Sequence, residues 1–168
     1  MTAPVVRPAT VDDVGVILGF IRALAEYERL ADAVVADEAA LAATLFGPRP
    51  AAEVLLVEAD GRPRGFALFF TSYSTFLARP GLYLEDLFVE PEARGRGLGL
   101  ALMATLAKIC VARGYGRFEW SVLDWNQPAI RFYESVGAAP LTDWTRWRVT
   151  GPALTALAGG GAPGASLP

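Results

Sequence analysis

The chain has 168 residues, 53% of them hydrophobic, so it can bury a full core, and its length suits one domain better than two. Its net charge of −3 excludes a basic field over the whole surface that would hold nucleic acid or an anionic membrane. The sequence contains no histidine, which excludes histidine triads, histidine metal sites and histidine as a general base, and we expect no metal.

Cysteine usage and the lack of targeting signals predict the compartment. Cys110 is the only cysteine, which excludes an internal disulfide and fits a reducing environment. No basic segment leads into an apolar core, and the apolar run at residues 98–107 is too short to span a membrane. We therefore expect a cytoplasmic protein with no membrane anchor.

The first half of the chain predicts one strand, two helices and then three strands. In chain order, the hydrophobic pattern predicts strand 5–7, helix 10–29, helix 37–46, strand 54–59, strand 65–71 and strand 83–89. Asp60-Gly61 favours a tight turn between the second and third of these strands, and Pro80-Gly81 marks the entry to the last one.

The second half predicts alternating helices and strands and then a tail. The elements are helix 98–113, strand 118–122, helix 128–136 and strand 144–149. Residues 159–168 lack side chains that could offset the entropy of ordering, so we expect a flexible tail after a single domain spanning residues 1–158.

The stretch YLEDLFVEPEARGRGLG, residues 83–99, joins a strand to a helix through a loop rich in glycine and arginine. Such a loop aims backbone N–H groups and the helix dipole at one point, which suits a pyrophosphate. The glycines Gly95, Gly97 and Gly99 allow close approach, and Arg94 and Arg96 add charged donors. The alternative is a loop that needs glycine conformations and carries solvated arginines. The spacing matches neither the P-loop nor the dinucleotide fingerprint.

Two motifs carry a resemblance to a known family. Arg94, Gly97 and Gly99 match the pattern R/Q-x-x-G-x-G/A, and DWNQPAIRFYESVGA at residues 124–138 is similar to the downstream asparagine and tyrosine segment. The chain thus resembles the GNAT superfamily of acetyl-CoA-dependent N-acetyltransferases. RPAT at 7–10, ALAEYERL at 23–30 and YLEDLFV at 83–89 resemble its diamine (spermidine/spermine) and thialysine branch.

The resemblance implies a fold, a donor and an assembly. The fold is the α/β (α+β) GNAT fold, with a mixed, mostly antiparallel sheet of six to seven strands and about four helices in the order β-α-α-β-β-β-α-β-α-β-β. Acetyl-CoA is the expected acyl donor. A homodimer is also expected, because a mean hydropathy of +0.34 and four tryptophans, three of them after residue 121, favour an apolar partner contact, and the resemblance adds weight to it. The implied cofactor-binding residues are Leu87, Phe88, Val89, Arg94, Gly95, Arg96, Gly97, Leu98, Gly99, Asn126, Pro128 and Ala129.

Acetyl transfer to an amine needs a base, because an alkylamine with a pKa of about 10.4 is protonated at neutral pH. The resemblance gives this role to Glu85. In a regular strand Glu85 and Asp86 point to opposite faces, so at most one faces the cleft unless a bulge turns the other. The alternative is a strand-edge carboxylate paired with an arginine.

The thiolate leaving group needs a proton or a strong hydrogen bond, and the resemblance assigns this to Tyr133. The alternative is a core-facing aromatic, because one of Phe132 and Tyr133 must pack inward on a short amphipathic helix.

The resemblance also implies a site for a small cationic amine such as a polyamine or a lysine analogue. Its expected residues are Tyr27, Glu28, Glu85, Asp86, Glu119, Trp120, Ser121 and Asp143. Glu28 and Asp143 could instead be solvated surface charges. Two other functions stay open: acetylation of a protein lysine or N-terminus, and acyl-CoA binding without turnover.

Overall fold

The computed structural model of the chain describes residues 3–160. The chain divides into two compact units, with the boundary between Trp125 and Asn126. Within the tail expected to be flexible, Gly159 and Gly160 form a turn, and residues 161–168 lie outside the described residues.

The first unit contains a five-stranded sheet in the order β1-β2-β3-β4-β5. The strands are β1 (Val5–Pro8), β2 (Glu53–Ala59), β3 (Arg62–Ser74), β4 (Arg79–Val89) and β5 (Phe118–Trp120). The first three pairings are antiparallel and β4 pairs with β5 in parallel. This confirms the α/β class and the mostly antiparallel sheet. The expected count of six to seven strands is wrong for residues 3–160, which form five.

The helices number five over residues 3–160, one more than expected. The first unit contains α1 (Val14–Tyr27), α2 (Glu38–Phe46) and α3 (Leu98–Ala112), and the second contains α4 (Gln127–Ser135) and α5 (Gly151–Ala158). The prediction of a strand at 144–149 is wrong, because this stretch has no regular secondary structure. An alternating sequence forms a strand only where a neighbouring strand satisfies its backbone.

The two dipeptides predicted to lie beside the strands have different outcomes. Asp60 and Gly61 have φ angles of 55° and 76°, which confirms the tight turn between β2 and β3. Pro80 and Gly81 lie inside β4 rather than before it, where Gly81 pairs with Ser72. A Cβ on Gly81 would lie 2.8 Å from the Ser72 hydroxyl oxygen, so close packing explains this glycine.

One hydrophobic cluster of the first unit lies between α1, α2 and the sheet. Phe20 of α1 stacks on Phe66 of β3 at 5.7 Å between ring centres and lies 6.0 Å from Phe88 of β4. Its neighbours Ile17 and Leu24 are also buried, which follows from the helical spacing of apolar residues in α1. Phe88 is therefore anchored in the core immediately before the glycine-rich loop.

Helix α3 buries the only cysteine of the chain. Cys110 is 7% exposed, and its thiol donates a weak hydrogen bond to the Arg117 carbonyl at 3.4 Å. Burial raises the pKa of this thiol, which makes it a poor nucleophile. Over the described range, no helix has the length and apolar character needed to cross a membrane.

Candidate active site

Strands β4 and β5 pair over only three residues, which leaves part of β4 with an open edge. Leu82 to Leu84 pair with Phe118 to Trp120, and β4 then continues to Val89. From residue 85 onward β3 pairs with one edge of β4, and no strand within residues 3–160 pairs with the other. An unpaired edge offers backbone N–H and C=O groups to an extended ligand. The expected main-chain contacts at Leu87 to Val89 fall on this segment.

A β-bulge in β4 changes the directions of the two adjacent carboxylates. Leu68 of β3 pairs with Asp86, while the next residue, Phe69, pairs with Leu84, so Glu85 is the extra residue. The bulge shifts the alternation of β4 by one residue, and Glu85 and Asp86 are no longer sent to opposite faces. A bulge was the condition under which both Glu85 and Asp86 could face one cleft, and β4 contains one.

Three carboxylates of the first unit interact electrostatically. The pKa of Asp86 is raised to about 6, first by burial and then by the negative charges of Glu85 and Glu28. Burial also raises the pKa of Glu28. Glu85 is exposed, whereas Glu28 and Asp86 are half-buried. Within residues 3–160 no Lys or Arg forms an ion pair with any of the three. Such a cluster attracts an ammonium group.

The loop before α3 is shaped for an anion. Gly95 and Gly97 have φ angles of 73° and 78°, a region that strongly favours glycine. A Cβ at either position would meet nothing within 4 Å, so open space lies over the loop. Gly97 is the N-cap of α3, and because it has no side chain it leaves the first N–H groups of the helix uncapped. The first N–H groups of a helix have no intrahelical partner, so those of Leu98 and Gly99 fit a pyrophosphate oxygen.

Two stacked pairs, each an arginine over an aromatic ring, connect the loop to the end of α1. The guanidinium carbon of Arg94 lies 4.9 Å from the centre of the Tyr27 ring, and its Nε donates to the Val89 carbonyl at 3.0 Å. The centres of the Tyr27 and Trp125 rings are 6.2 Å apart, and the guanidinium carbon of Arg29 lies 4.8 Å from the centre of the Trp125 ring. Trp125 is not among the site residues expected from the sequence, although it directly precedes Asn126 in the second motif.

The expected substrate residues on and after β5 make contacts within the same unit. The hydroxyl groups of Ser121 and Tyr83 are 2.8 Å apart, which ties the end of β5 to β4 beside the bulge. Trp120 contacts Phe118 at 4.9 Å between ring centres, and Glu119 pairs with Tyr83 in the β4–β5 ladder. Ser121 and Glu119 are therefore positioned by Tyr83.

The remaining expected site residues belong to the second unit. Asn126 is the N-cap of α4, and its side-chain oxygen accepts a hydrogen bond from the Ala129 N–H at 3.3 Å. Pro128 lies in the first turn of α4, and Tyr133 lies in its second half beside Phe132. Asp143 is exposed in a stretch without regular structure. The roles of these residues stay predictions.

The backbone groups at the open edge of β4 and at the start of α3 fit acetyl-CoA. The open edge of β4 suits the pantetheine chain, and the uncapped start of α3 suits its pyrophosphate. Within residues 3–160 no group of three or more His, Cys, Asp or Glu residues is arranged to hold a metal ion.

Comparison with known proteins places this chain in a class of enzymes. Residues 21–138 match the family described as Acetyltransferase (GNAT) family. Thialysine N-epsilon-acetyltransferase of Sus scrofa is 39% identical over 170 residues, covering 95% of this chain and 99% of that protein. L-ornithine N5-acetyltransferase NATA1 of Arabidopsis thaliana is 36% identical over 197 residues, covering 90% of this chain and 86% of that protein.

A solved structure shares the fold over nearly the whole chain. An integron cassette protein from the mobile metagenome of V. cholerae has a TM-score of 0.76 and 28% identity, covering 94% of this chain and 99% of that one. The expectation of an acyltransferase enzyme is thus confirmed. The chain belongs to the acetyltransferase (GNAT) family, whose members use acetyl-CoA as acyl donor.

Proposed function

We propose that this enzyme transfers an acetyl group from acetyl-CoA to a primary amine of a small cationic substrate, either a polyamine or a lysine-like molecule. The observation that carries the proposal is the cluster of Glu28, Glu85 and Asp86, which concentrates negative charge beside the open edge of β4. Relatives named for thialysine and ornithine, both amino acids with a side-chain amine, support the same substrate class.

The proposed donor site runs along the first unit. Main-chain groups of Leu87 to Val89 hold the pantetheine and the thioester oxygen, and the loop from Arg94 to Gly99 holds the pyrophosphate. The family resemblance supports further cofactor contacts by Asn126, Pro128 and Ala129. When bound, acetyl-CoA supplies an acyl group activated as a thioester.

The proposed reaction begins with loss of a proton from the substrate ammonium. Glu85 accepts this proton directly or through water, and the neutral amine then attacks the thioester carbonyl carbon. Asp86 is a second candidate for this step, because its pKa of about 6 suits a base that operates near neutral pH. Glu28 and Tyr27 contribute to binding the amine, together with Glu119, Trp120, Ser121 and Asp143.

The C–S bond then breaks, and we assign to Tyr133 the proton that the departing thiolate receives. The attacking nitrogen releases its second proton, which leaves a neutral amide and restores the phenol directly or through water. A phenol with a pKa of about 10 can protonate or hydrogen-bond a thiolate whose parent thiol has a pKa of about 8.5. The position of Tyr133 in the second motif supports this assignment.

The function is tested by measuring thiol release with acetyl-CoA over a panel of polyamines, lysine analogues, neutral amino acids and peptides. We expect the highest kcat/KM for small molecules with a second cationic group, because the carboxylate cluster binds that charge. A preference for peptides would favour a protein acetyltransferase. Tight acetyl-CoA binding without turnover of any amine would favour a non-catalytic binding module.

The two candidate bases are separated by Glu85→Gln and Asp86→Asn. Loss of the base should depress kcat/KM most at neutral pH and allow partial recovery at higher pH, where more amine is already neutral. Glu85→Gln should show this profile. If only Asp86→Asn shows it, Asp86 is the base and Glu85 has a binding role.

We further propose a cytoplasmic homodimer. The supporting features are the single buried thiol and two large exposed aromatics, Trp144 and Trp147, at 81% and 89% exposure. Light scattering at micromolar concentration should give twice the monomer mass, and a monomer would contradict the proposal.

A further inference from the structure

A bidentate ion pair joins the β2–β3 turn to the loop before α3. The two terminal nitrogens of Arg96 donate to the two carboxylate oxygens of Asp60, at 2.7 and 2.9 Å. Bidentate arginine–carboxylate pairs fix the relative orientation of both groups as well as their distance. The pair therefore restrains the loop at its centre.

Arg96 is the only side chain between two conformationally permissive positions. Gly95 and Gly97 flank it and both have positive φ angles. Glycine loses more conformational freedom on ordering than any other residue, so a loop of this kind needs an external restraint. The restraint comes from Asp60, which lies in a two-residue turn that the β2–β3 ladder closes.

A second contact ties the start of the same segment to the same hairpin. Glu90 accepts hydrogen bonds from Arg62 at 2.7 Å and from Arg64 at 3.1 Å. Arg64 also donates to Asp60 at 3.3 Å, so the two contacts form one network. The segment from Glu90 to Arg96 is thus held at both ends by the β2–β3 hairpin.

We propose that Asp60 is a positioning residue for the cofactor: by holding both terminal nitrogens of Arg96, it fixes the loop conformation in which the first amides of α3 meet the pyrophosphate. Arg96 then acts as a clamp on the loop rather than as the direct phosphate donor expected from the sequence. The inference rests on the proposed binding of acetyl-CoA at this loop. Pre-organisation of this kind strengthens binding by lowering the entropy lost when the ligand is bound.

A competing role for Asp60 gives the opposite result. If Arg96 binds phosphate directly, Asp60 competes for it and places a negative charge near an anion. Removing the carboxylate would then strengthen binding. The sign of the change in affinity decides between the two roles.

The experiment measures the dissociation constant of acetyl-CoA by calorimetry for wild type, Asp60→Asn, Arg96→Gln and the double variant. Asparagine tolerates the positive φ of residue 60, so the turn survives. We expect each single variant to bind about 3- to 10-fold more weakly and the double variant to bind no more weakly than the weaker single one. Unchanged or tighter binding by Asp60→Asn would overturn the proposal, as would multiplicative losses in the double variant.

A matched control and a cofactor-free measurement complete the test. Arg113→Gln breaks a similar bidentate pair, with Glu53 at 2.7 and 2.8 Å, away from the loop, and should leave acetyl-CoA affinity unchanged. In the cofactor-free protein, Asp60→Asn should speed amide hydrogen exchange at residues 95–98, and unchanged exchange would overturn the clamp. If wild type does not bind acetyl-CoA, the proposed function fails. The hydrogen-exchange measurement still tests whether the Asp60–Arg96 pair restrains the loop.

Discussion

The guanidinium carbon of Arg94 lies 4.9 Å from the centre of the Tyr27 ring, which places a residue of the glycine-rich loop directly on a residue expected to bind the amine. A guanidinium over an aromatic face is stabilised by about 0.5–1 kcal/mol at an exposed site. The contact connects the glycine-rich loop to the end of α1.

The first prediction concerns this stack. Tyr27→Leu removes the ring and should weaken acetyl-CoA binding about 2- to 5-fold, because Arg94 loses a contact that holds its side chain in place. Tyr27→Phe keeps the ring face and serves as the control for the hydroxyl group. Calorimetry on both variants provides the measurement, and equal affinities for leucine and tyrosine at this position would show that the stack does not organise the loop.

The second prediction concerns the loop glycine at the start of α3. Gly97→Asp should abolish measurable acetyl-CoA binding while the fold survives, because it adds a negative charge where the pyrophosphate is expected. Gly97→Asn is the matched control, since asparagine has nearly the same shape and tolerates the same φ of 78°. Asparagine should bind acetyl-CoA better than aspartate does. Equal affinities would mean that charge at this position is irrelevant and that no phosphate lies there.

The third prediction is a pH dependence of stability that arises from Asp86. Its pKa rises from an ordinary 3.8 to about 6 in the folded protein, so the folded state favours the protonated acid. The free energy of unfolding should therefore fall as pH rises from about 4 to about 6. Two pKa units correspond to at most about 3 kcal/mol. Asp86→Asn should accordingly be more stable than wild type at pH 7.5.

Urea denaturation at pH 4 and pH 7.5 measures this effect. The advantage of Asp86→Asn should shrink toward zero at pH 4, where the wild-type carboxyl is protonated. Glu85→Gln is the comparison, because Glu85 is exposed and should change stability much less. An advantage of the same size at both pH values would refute the electrostatic origin.

The fourth prediction concerns Tyr133→Phe, which keeps the ring and removes only the hydroxyl group. If the phenol assists departure of the thiolate, kcat should fall by about 10²- to 10⁴-fold with saturating acetyl-CoA, while KM for the amine stays nearly unchanged. Tyr115→Phe is the control, since that hydroxyl bonds Thr71 at 2.9 Å and has no proposed role in catalysis. Full turnover by Tyr133→Phe would leave protonation of the thiolate to water.

The features predicted well from the sequence are those set by local residue chemistry. The Asp60-Gly61 turn and the start of α3 at Leu98 follow from the conformational preferences of glycine and aspartate. The family was also predictable, because the loop motif and the DWNQP segment occur at fixed positions along the chain.

The features that escaped prediction depend on pairing between distant segments. The bulge at Glu85 arises from the register between β3 and β4, and the residue types of Glu85 and Asp86 do not predict it. The stack of Arg94 on Tyr27 and the pair of Arg96 with Asp60 likewise join residues whose proximity only the folded chain creates. The strand expected at 144–149 does not form, and no strand within residues 3–160 pairs with this stretch.

Because Cys110 is buried, we expect the native enzyme to react very slowly with thiol reagents. It is the chain's only thiol, it is 7% exposed, and its raised pKa keeps it protonated. A chromogenic disulfide added during turnover would then report coenzyme A as it is released, with little background from the protein. The same reagent added in urea would count one thiol per unfolded chain, so a single chemistry can follow both catalysis and unfolding.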